Sequence, residues 1–448
     1  MHASSLENMR KCFRRYVEGG ALNALDRVVV LDIGGADVNG SYRSIYSHER
    51  YHYIAADLTE GPGVSLVLDD PYRLPLDDAS VDVVLSGQML EHCEFFWLAF
   101  AEMVRVLKRG GYIFLIAPSA GPQHRYPVDC YRFYPDAYSA LAKHANCKLV
   151  DVWRDDRGPW CDLVGVFARH ALPPAVATET EAELWEPQLD GAEGSAEEEI
   201  VAGLRSSHEI LGDIHRLLEP RSYLEIGVRH GRSLALAACQ AVGVDPAPDL
   251  KVDLPSSATL FSMTSDAFFD DGAAHPISPP DLVLIDGMHL FDFALRDFMN
   301  IERIAAVHTL VVVDDIFPNH PAQAARRRRT RIWAGDVWKL FTCLRQNRPD
   351  LFLQPLDVSY TGLLLIAGLD PANRVLRDGY NRIVRAFAAD APPPEAILSR
   401  EGAIGAEEEQ LQPILSAVRR ARAENPSRSD FVKALRAAVA QTATVSAE

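Results

Sequence analysis

RVVVLDIGGADVNG (residues 27–40) and RSYLEIGVRHGRSLALAA (residues 221–238) decide the fold. Each opens with apolar, partly β-branched residues, reaches an acid (Asp32, Glu225) and turns through glycines: Gly34 and Gly35, then Gly227 and Gly231. A strand that runs into a glycine turn lets a nucleoside approach the backbone closely. Further along each stretch a second strand ends in aspartate, YHYIAADL at Asp57 and AVGVDPAP at Asp245, where a carboxylate can accept hydrogen bonds from ribose hydroxyls. The same grammar read twice predicts two doubly wound α/β domains, each a mostly parallel sheet with an antiparallel edge strand. The expected boundaries are 1–170, an acidic linker over 171–199 rich in Ala, Glu and Pro, a second domain over 200–370 and a helical tail over 371–448. Apolar spacing from Glu198 to Leu218 predicts a helix.

The bulk numbers agree with two domains. A chain of 448 residues is beyond the size at which one core keeps growing. Hydrophobic residues at 48% and charged residues at 24% are the balance of a soluble globular protein. A net charge of -17 argues against a general nucleic-acid binder. The seven cysteines are never spaced CxxC, which suits reduced thiols in a cytosol. Charges interrupt the first twenty residues where a signal peptide needs an apolar core, and no run is long enough to span a bilayer. A cytoplasmic protein is therefore expected.

In the first repeat, VSLVLDD (64–70), PYRLPLDDAS, the strand VDVVLS, the helix start GQMLEHCEFFW (87–97) and the helix FWLAFAEMVRVL follow in order, with KRGG (108–111) read as the helix stop before the strand YIFLIAP. LDIGG, AADL, LPLDDASVDVVLS, LEH and RVLKRGG together resemble the class I S-adenosylmethionine (SAM)-dependent methyltransferases, a Rossmann-like family. That resemblance implies that Asp32, Gly34 and Gly35 line the methionine end of SAM, Asp57 the ribose and Asp70 the adenine. Gln88, Glu91 and His92 would lie near the sulfonium or the acceptor. Ala36 and Val38 stand where the family has its second and third glycines. The loop PSAGPQHRYPVDCYRFYPD (118–136) follows the fourth strand on the rim where such sheets bind ligands. It reads either as an acceptor lid, with His124 as general base and Arg125 or Arg132 holding an anion, or as a surface loop whose arginines pair with its own acids.

In the second repeat, Glu225, Gly227, Gly231 and Ser233 form the donor turn, with Ser233 expected in a first helical turn that receives the cofactor's carboxylate. Asp245 is the ribose candidate and Asp266, in MTSDAFF, the adenine candidate. PDLVLIDGMHLFDFALRDFMN (280–300) and HTLVVVDDIF (308–317) place Asp286, His289, Asp314 and Asp315 at the ends of two neighbouring strands. Carboxylates at adjacent parallel strand ends can meet at one point, where they repel unless a cation or proton is present. Mg²⁺ suits an all-oxygen set, and His289 could then deprotonate an acceptor hydroxyl. The pattern is similar to the metal-dependent macrolide-sugar O-methyltransferases, which implies Asp286, Asp314 and Asp315 as metal ligands, His289 as base and a sugar hydroxyl as acceptor. Ordinary strand-end acids with a helix-capping histidine are the plainer reading. Arg326–Arg329 and Arg331 are either a solvated face or a lid for an anionic acceptor. LFLQPLDVSYTGLLLIAGL (351–369) reads as a closing hairpin.

The expected function is O-methylation by both domains of a sugar, glycan or glycosylated metabolite. Two alternatives stay open: a first domain reduced to a binding module, or a second site doing hydroxylase-like or hydrolytic metal chemistry. Expected partners are a small-molecule or glycan acceptor and, as an open option, a second copy of the chain; nucleic acid and a membrane span are not expected.

Overall fold

The computed structural model describes residues 2–38, 40–169, 193–270, 277 and 279–445. The chain divides into a first compact unit, Met1–Thr178 with Arg377–Ala386, and a second, Glu179–Leu376 with Phe387–Glu448. Most of the expected linker, 171–192, lies outside the described residues.

The first unit holds a seven-stranded sheet in the order β3 (Leu66–Val67), β2 (Tyr51–Asp57), β1 (Val28–Ile33), β4 (Val81–Gly87), β5 (Leu107–Pro118), β7 (Asp162–Ala168), β6 (Lys148–Arg154). The first five run parallel, and β7 is antiparallel to both its neighbours. The second unit repeats this order with β10 (Ala258–Phe261), β9 (Gln240–Val244), β8 (Ser222–Ile226), β11 (Leu282–Ile285), β12 (Leu310–Asp314), β14 (Leu363–Ala367) and β13 (Phe352–Leu356). Here too only β14 opposes its neighbours. Central strands such as VVVLDI and LVVVD are apolar without alternation because both faces are covered. In each sheet the chain leaves the middle strand to one side and returns on the other. The crevice at that switch point opens at the carboxyl ends of β1 and β4, and of β8 and β11.

Four local expectations give way to tertiary constraints. The helix expected from Glu198 starts only at Ser207, where Ser206 and Glu209 form a capping box. Gly203 stands before it at φ +84°, with the position of an added Cβ only 2.5 Å from the Ser359 nitrogen. KRGG does not stop a helix: the helix Phe96–Val106 is already over, and Lys108–Gly111 belong to β5. Gly111 is needed there because a Cβ would stand 2.3 Å from the Asp82 carbonyl oxygen. GQMLEHCEFFW forms a short 3₁₀ turn, Leu90–His92, before the helix begins at Phe96. After the second glycine turn comes one 3₁₀ turn, Leu234–Leu236, and not a helix, with Leu234 buried and β9 following at Gln240. Ser233 thus lacks the run of aligned peptide dipoles expected to draw a carboxylate.

The tail is helical as expected, in Val375–Asp378, Tyr380–Phe387, Glu395–Leu398, Glu408–Glu424 and Arg428–Val445. Its last two helices carry Leu411, Ile414, Leu415, Phe431 and Leu435 into the core around Leu282, Val312 and Leu365. No helix among the described residues is long and apolar enough to cross a membrane.

Candidate functional site

At the end of β1, the Gly34 and Gly35 N–H groups both donate to the Ala56 carbonyl (2.9 and 3.1 Å), which binds the glycine turn to β2. Gly34 has φ +79°, and a Cβ on Gly35 would come within 2.9 Å of the Asp32 carbonyl. Asp57 ends β2 and accepts from the Ala36 N–H (3.2 Å) and the Leu58 N–H (2.8 Å). Asp32 is buried beneath the turn, accepts the Tyr53 hydroxyl at 2.5 Å and is pushed up to about 7 by burial. Gln88, at φ +59° after β4, donates to Asp162 (2.9 Å). These residues share the carboxyl rim. Asp70 stands apart in an exposed loop after β3, where it accepts the Tyr72 N–H (2.8 Å).

The second unit reproduces this arrangement. Gly227 N–H donates to Val244 O (2.9 Å), and Asp245 accepts from the Arg229 N–H (2.7 Å) and the Ala247 N–H (2.8 Å). Glu225 is fully buried, accepts Tyr223 Oη (2.7 Å) and Ser233 Oγ (2.5 Å), and is pushed up to about 8 by burial. Ser233 is therefore spent on Glu225. Asp266 is gripped by Arg296, with Nη2 at 2.8 Å from Oδ2. Gly231, at φ +77°, makes room for Leu250. Gly227, at φ +90°, is the tightest glycine of this turn: a Cβ would stand 1.9 Å from the Asp286 carbonyl oxygen.

That close approach joins the donor turn to the acid cluster. One ligand atom from each of Asp286, His289 and Asp315 lies within 4.8 Å of the other two. His289 Nδ1 is 2.9 Å from Asp315 Oδ2 and 2.9 Å from Trp333 O, while Nε2 is 3.5 Å from Asp286 Oδ1. Asp314, the last residue of β12, accepts the Asp315 N–H (2.8 Å). Burial raises Asp286 and Asp314, and for Asp314 the Asp315 and Asp286 charges add to it. Burial opposes the charge on His289, but Asp315 and Asp286 outweigh it and hold the imidazolium well above its usual range. A proton on His289 thus answers the repulsion among the acids, the job a cation could also do. Asp286, Gly287, His289, Asp314, Asp315 and Val337 line a cavity of about 10 Å³, room for roughly one water molecule or one ion. Asp286 and Asp315 meet His289 there, Asp314 lines the same cavity without joining that convergent set, and carboxylates around a cavity of that size fit a small hard cation.

Strain marks the same place. His289 and Asp315 sit at φ +51° and +67°, conformations that non-glycine residues hold only when their surroundings enforce them. The enforcing element is the loop Trp333–Asp336. Trp333 stacks on His289 (5.2 Å, 14°), the Asp336 N–H donates to His289 O (3.1 Å), and Asp336 Oδ1 accepts the Phe291 N–H (2.8 Å). Asp336 also binds Arg326 (2.9 Å) and Lys339 (2.9 Å), so the first arginine of the basic run serves this scaffold. In the loop 118–136, Arg132 is held by Asp129 at 2.6 and 2.8 Å. Its charge is answered within the loop.

Trp333, Asp336, Tyr53 and Tyr223 were given no role at this site from the sequence. Tyr223 could have been given one: it lies two residues from Glu225, on the same face of one strand. Trp333 and Asp336 reach His289 across more than forty residues, which no local pattern encodes.

Residues 31–115 and 224–316 match two different family models, each described as "Methyltransferase domain". An uncharacterized methyltransferase of Mycolicibacterium gilvum (strain PYR-GCK) is 33% identical over 95 residues, 19% of this chain; the chain spans only 36% of that relative's length. Among solved structures, a putative methyltransferase in complex with the Haloferax volcanii Trm112 activator is 15% identical over 38% of this chain and 97% of its own, with a TM-score of 0.28. The Burkholderia thailandensis 1,6-didemethyltoxoflavin-N1-methyltransferase, bound to S-adenosylhomocysteine, is 20% identical over 38% and 85%, with a TM-score of 0.27. Two seven-stranded sheets of one topology, each with its own glycine turn and its own family match, mean that the chain carries two class I SAM-dependent methyltransferase domains in tandem.

Proposed function

We propose that the protein is a SAM-dependent O-methyltransferase with two active domains, and that the second uses Mg²⁺ to methylate a hydroxyl group. The observation that carries this reading is the meeting of Asp286, His289 and Asp315 at one point, directly under the Gly227 donor turn. Asp286, Asp314 and Asp315 would hold Mg²⁺, which when bound supplies the Lewis acidity that lowers the pKa of the acceptor hydroxyl. The Trp333 carbonyl can only accept, so His289 Nδ1 carries a hydrogen; a cation held among the acids would take the place of the second proton, on Nε2, and leave that lone pair free toward the cavity. Nε2 takes the hydroxyl proton as the S–CH₃ bond of SAM breaks and the O–CH₃ bond forms. The Trp333 ring holds the imidazole in plane. Glu225, Gly227, Gly231, Ser233, Asp245 and Asp266 build the donor side, with Ser233 acting through Glu225.

In the first domain, Asp32, Gly34, Gly35, Asp57 and Gln88 build the donor side, Asp70 stands apart from them, and His124 stands on the acceptor side. A sugar or glycan hydroxyl as acceptor rests on the resemblance to macrolide-sugar O-methyltransferases. The test incubates the protein with SAM, Mg²⁺ and a panel of sugar-bearing acceptors. Asp315→Asn should abolish metal-stimulated transfer while calorimetry still detects SAM binding. Full activity in that variant would remove the metal from the mechanism. His289→Ala should lower turnover by about 10²–10⁴.

A further inference from the structure

We propose that the first unit holds a second, chemically different metal site, in which Glu91, His92 and His124 bind a divalent transition-metal ion. One ligand atom from each of the three lies within 4.8 Å of the other two. Nitrogen and oxygen ligands at ~2.1 Å around a tetrahedral ion stand about 3.4 Å apart, so small side-chain rotations close the set.

Three independent features aim these groups at an ion. First, Glu91 is fully buried, yet neither carboxylate oxygen makes a hydrogen bond. A buried acid without a donor is costly unless something positive meets it. The Arg132 charge favours the ionised Glu91 but gives it no hydrogen bond, since both terminal nitrogens of Arg132 are taken by Asp129 (2.6 and 2.8 Å). Second, His92 Nδ1 lies 2.5 Å from the Val128 carbonyl. A carbonyl only accepts, so the hydrogen is on Nδ1 and the lone pair on Nε2, 3.7 Å from Glu91 Oε1. Orienting a ligand histidine by hydrogen-bonding its other nitrogen to a backbone carbonyl is how metal sites fix the tautomer. Third, the His124 ring lies 4.8 Å from that of His92 and packs on Trp160 at 4.5 Å, with Nδ1 buried, without a hydrogen bond and 3.7 Å from Asp129 Oδ2. Its backbone is pinned by the N–H bond to Asp129 (2.6 Å).

Two imidazoles and one carboxylate select borderline ions of the Zn²⁺, Fe²⁺ or Co²⁺ kind over Mg²⁺ or Ca²⁺. Glu91 and His92 lie on the turn after β4, and His124 in the loop after β5. The site therefore stands on the same carboxyl rim as the donor turn of β1. The His124 side chain is 42% exposed, so one side of the ion is open to a water or an acceptor oxygen. His124 is then a ligand, in place of the free base expected from the sequence. Nothing in this site depends on the reading of the second domain.

The test uses the full chain carrying Asp286→Asn and Asp315→Asn, which removes the acid cluster of the second unit. After chelator treatment it is titrated with Co²⁺, reading visible d–d absorption and calorimetric stoichiometry, then with Zn²⁺ as competitor. One equivalent of Co²⁺, displaced by Zn²⁺, is expected. His124→Ala, in a partly exposed loop, should leave the melting temperature unchanged and weaken Co²⁺ binding by at least about 10-fold, as should Glu91→Gln. No Co²⁺ uptake, or uptake unchanged in His124→Ala, overturns the proposal. The Mg²⁺ dependence of the second domain is measured separately and stands or falls alone.

Discussion

Gly227→Ala is the sharpest test of how the donor turn and the acid cluster are joined. The new Cβ would stand 1.9 Å from the Asp286 carbonyl oxygen, where real Cβ contacts essentially never fall below 3.0 Å. The ends of β8 and β11 must therefore part by about 1.1 Å, the gap between those two distances. Alanine at φ +90° adds about 1 kcal/mol of backbone strain. The forced separation adds about 1–3 kcal/mol. A loss of roughly 2–4 kcal/mol corresponds to a melting-temperature drop of roughly 4–16 °C for a unit of this size. The shift also displaces Asp286 relative to Asp315, and misplacement by an ångström is worth about 10²-fold in rate. Calorimetric melting reads the first effect. Mn²⁺ titration followed by electron paramagnetic resonance reads the second, with an expected loss of affinity of about 10–100-fold. A variant that melts at the wild-type temperature refutes the close-approach argument. One that melts lower but binds Mn²⁺ normally refutes the coupling of donor turn to acid cluster.

Further outcomes follow from the same geometry. Asp57→Ala should weaken SAM binding in the first unit by about 10–100-fold, as expected for losing hydrogen bonds to a charged acceptor, while the Asp245 site keeps its affinity; two-site calorimetry resolves the two, and equal loss at both would deny independent sites. Glu225 has a folded pKa of about 8 against an ordinary 4.5, so the folded state binds more protons between those values and stability falls as pH rises from about 4.5 to about 8. The decline has a ceiling of about 5 kcal/mol. Glu225→Gln, which keeps polar atoms facing Tyr223 and Ser233, should melt like wild type near pH 5 and higher than wild type near pH 9; parallel melting curves across that range would show that Glu225 is not the group responsible.

How far the sequence reached depended on how local each signal was. Strand, acid and glycine turn lie within fourteen residues, and their physics is local: apolar runs make buried strands, and glycines turn where a side chain would collide. The two-fold repeat, the parallel sheets with one opposing strand and the hairpin β13–β14 were legible for that reason. Asp286, His289, Asp314 and Asp315 were legible as strand-end residues, because adjacent parallel strands bring their ends together. Asp266 and Asp70 were chosen by position in a motif, which cannot say that Arg296 holds one and that an exposed turn employs the other.

The sequence by itself determined the two sheets, their order of elements and the acids and glycines at their carboxyl rims, since each rests on periodicity and turn chemistry within a short window. Only the tertiary structure decided which groups face one another: Trp333 against His289, Ser233 turned under Glu225, Glu91 buried without a donor beside His92 and His124. Those pairings depend on distances across tens of residues, set by how whole strands and loops pack, and packing is the part of folding that no short stretch of chain contains.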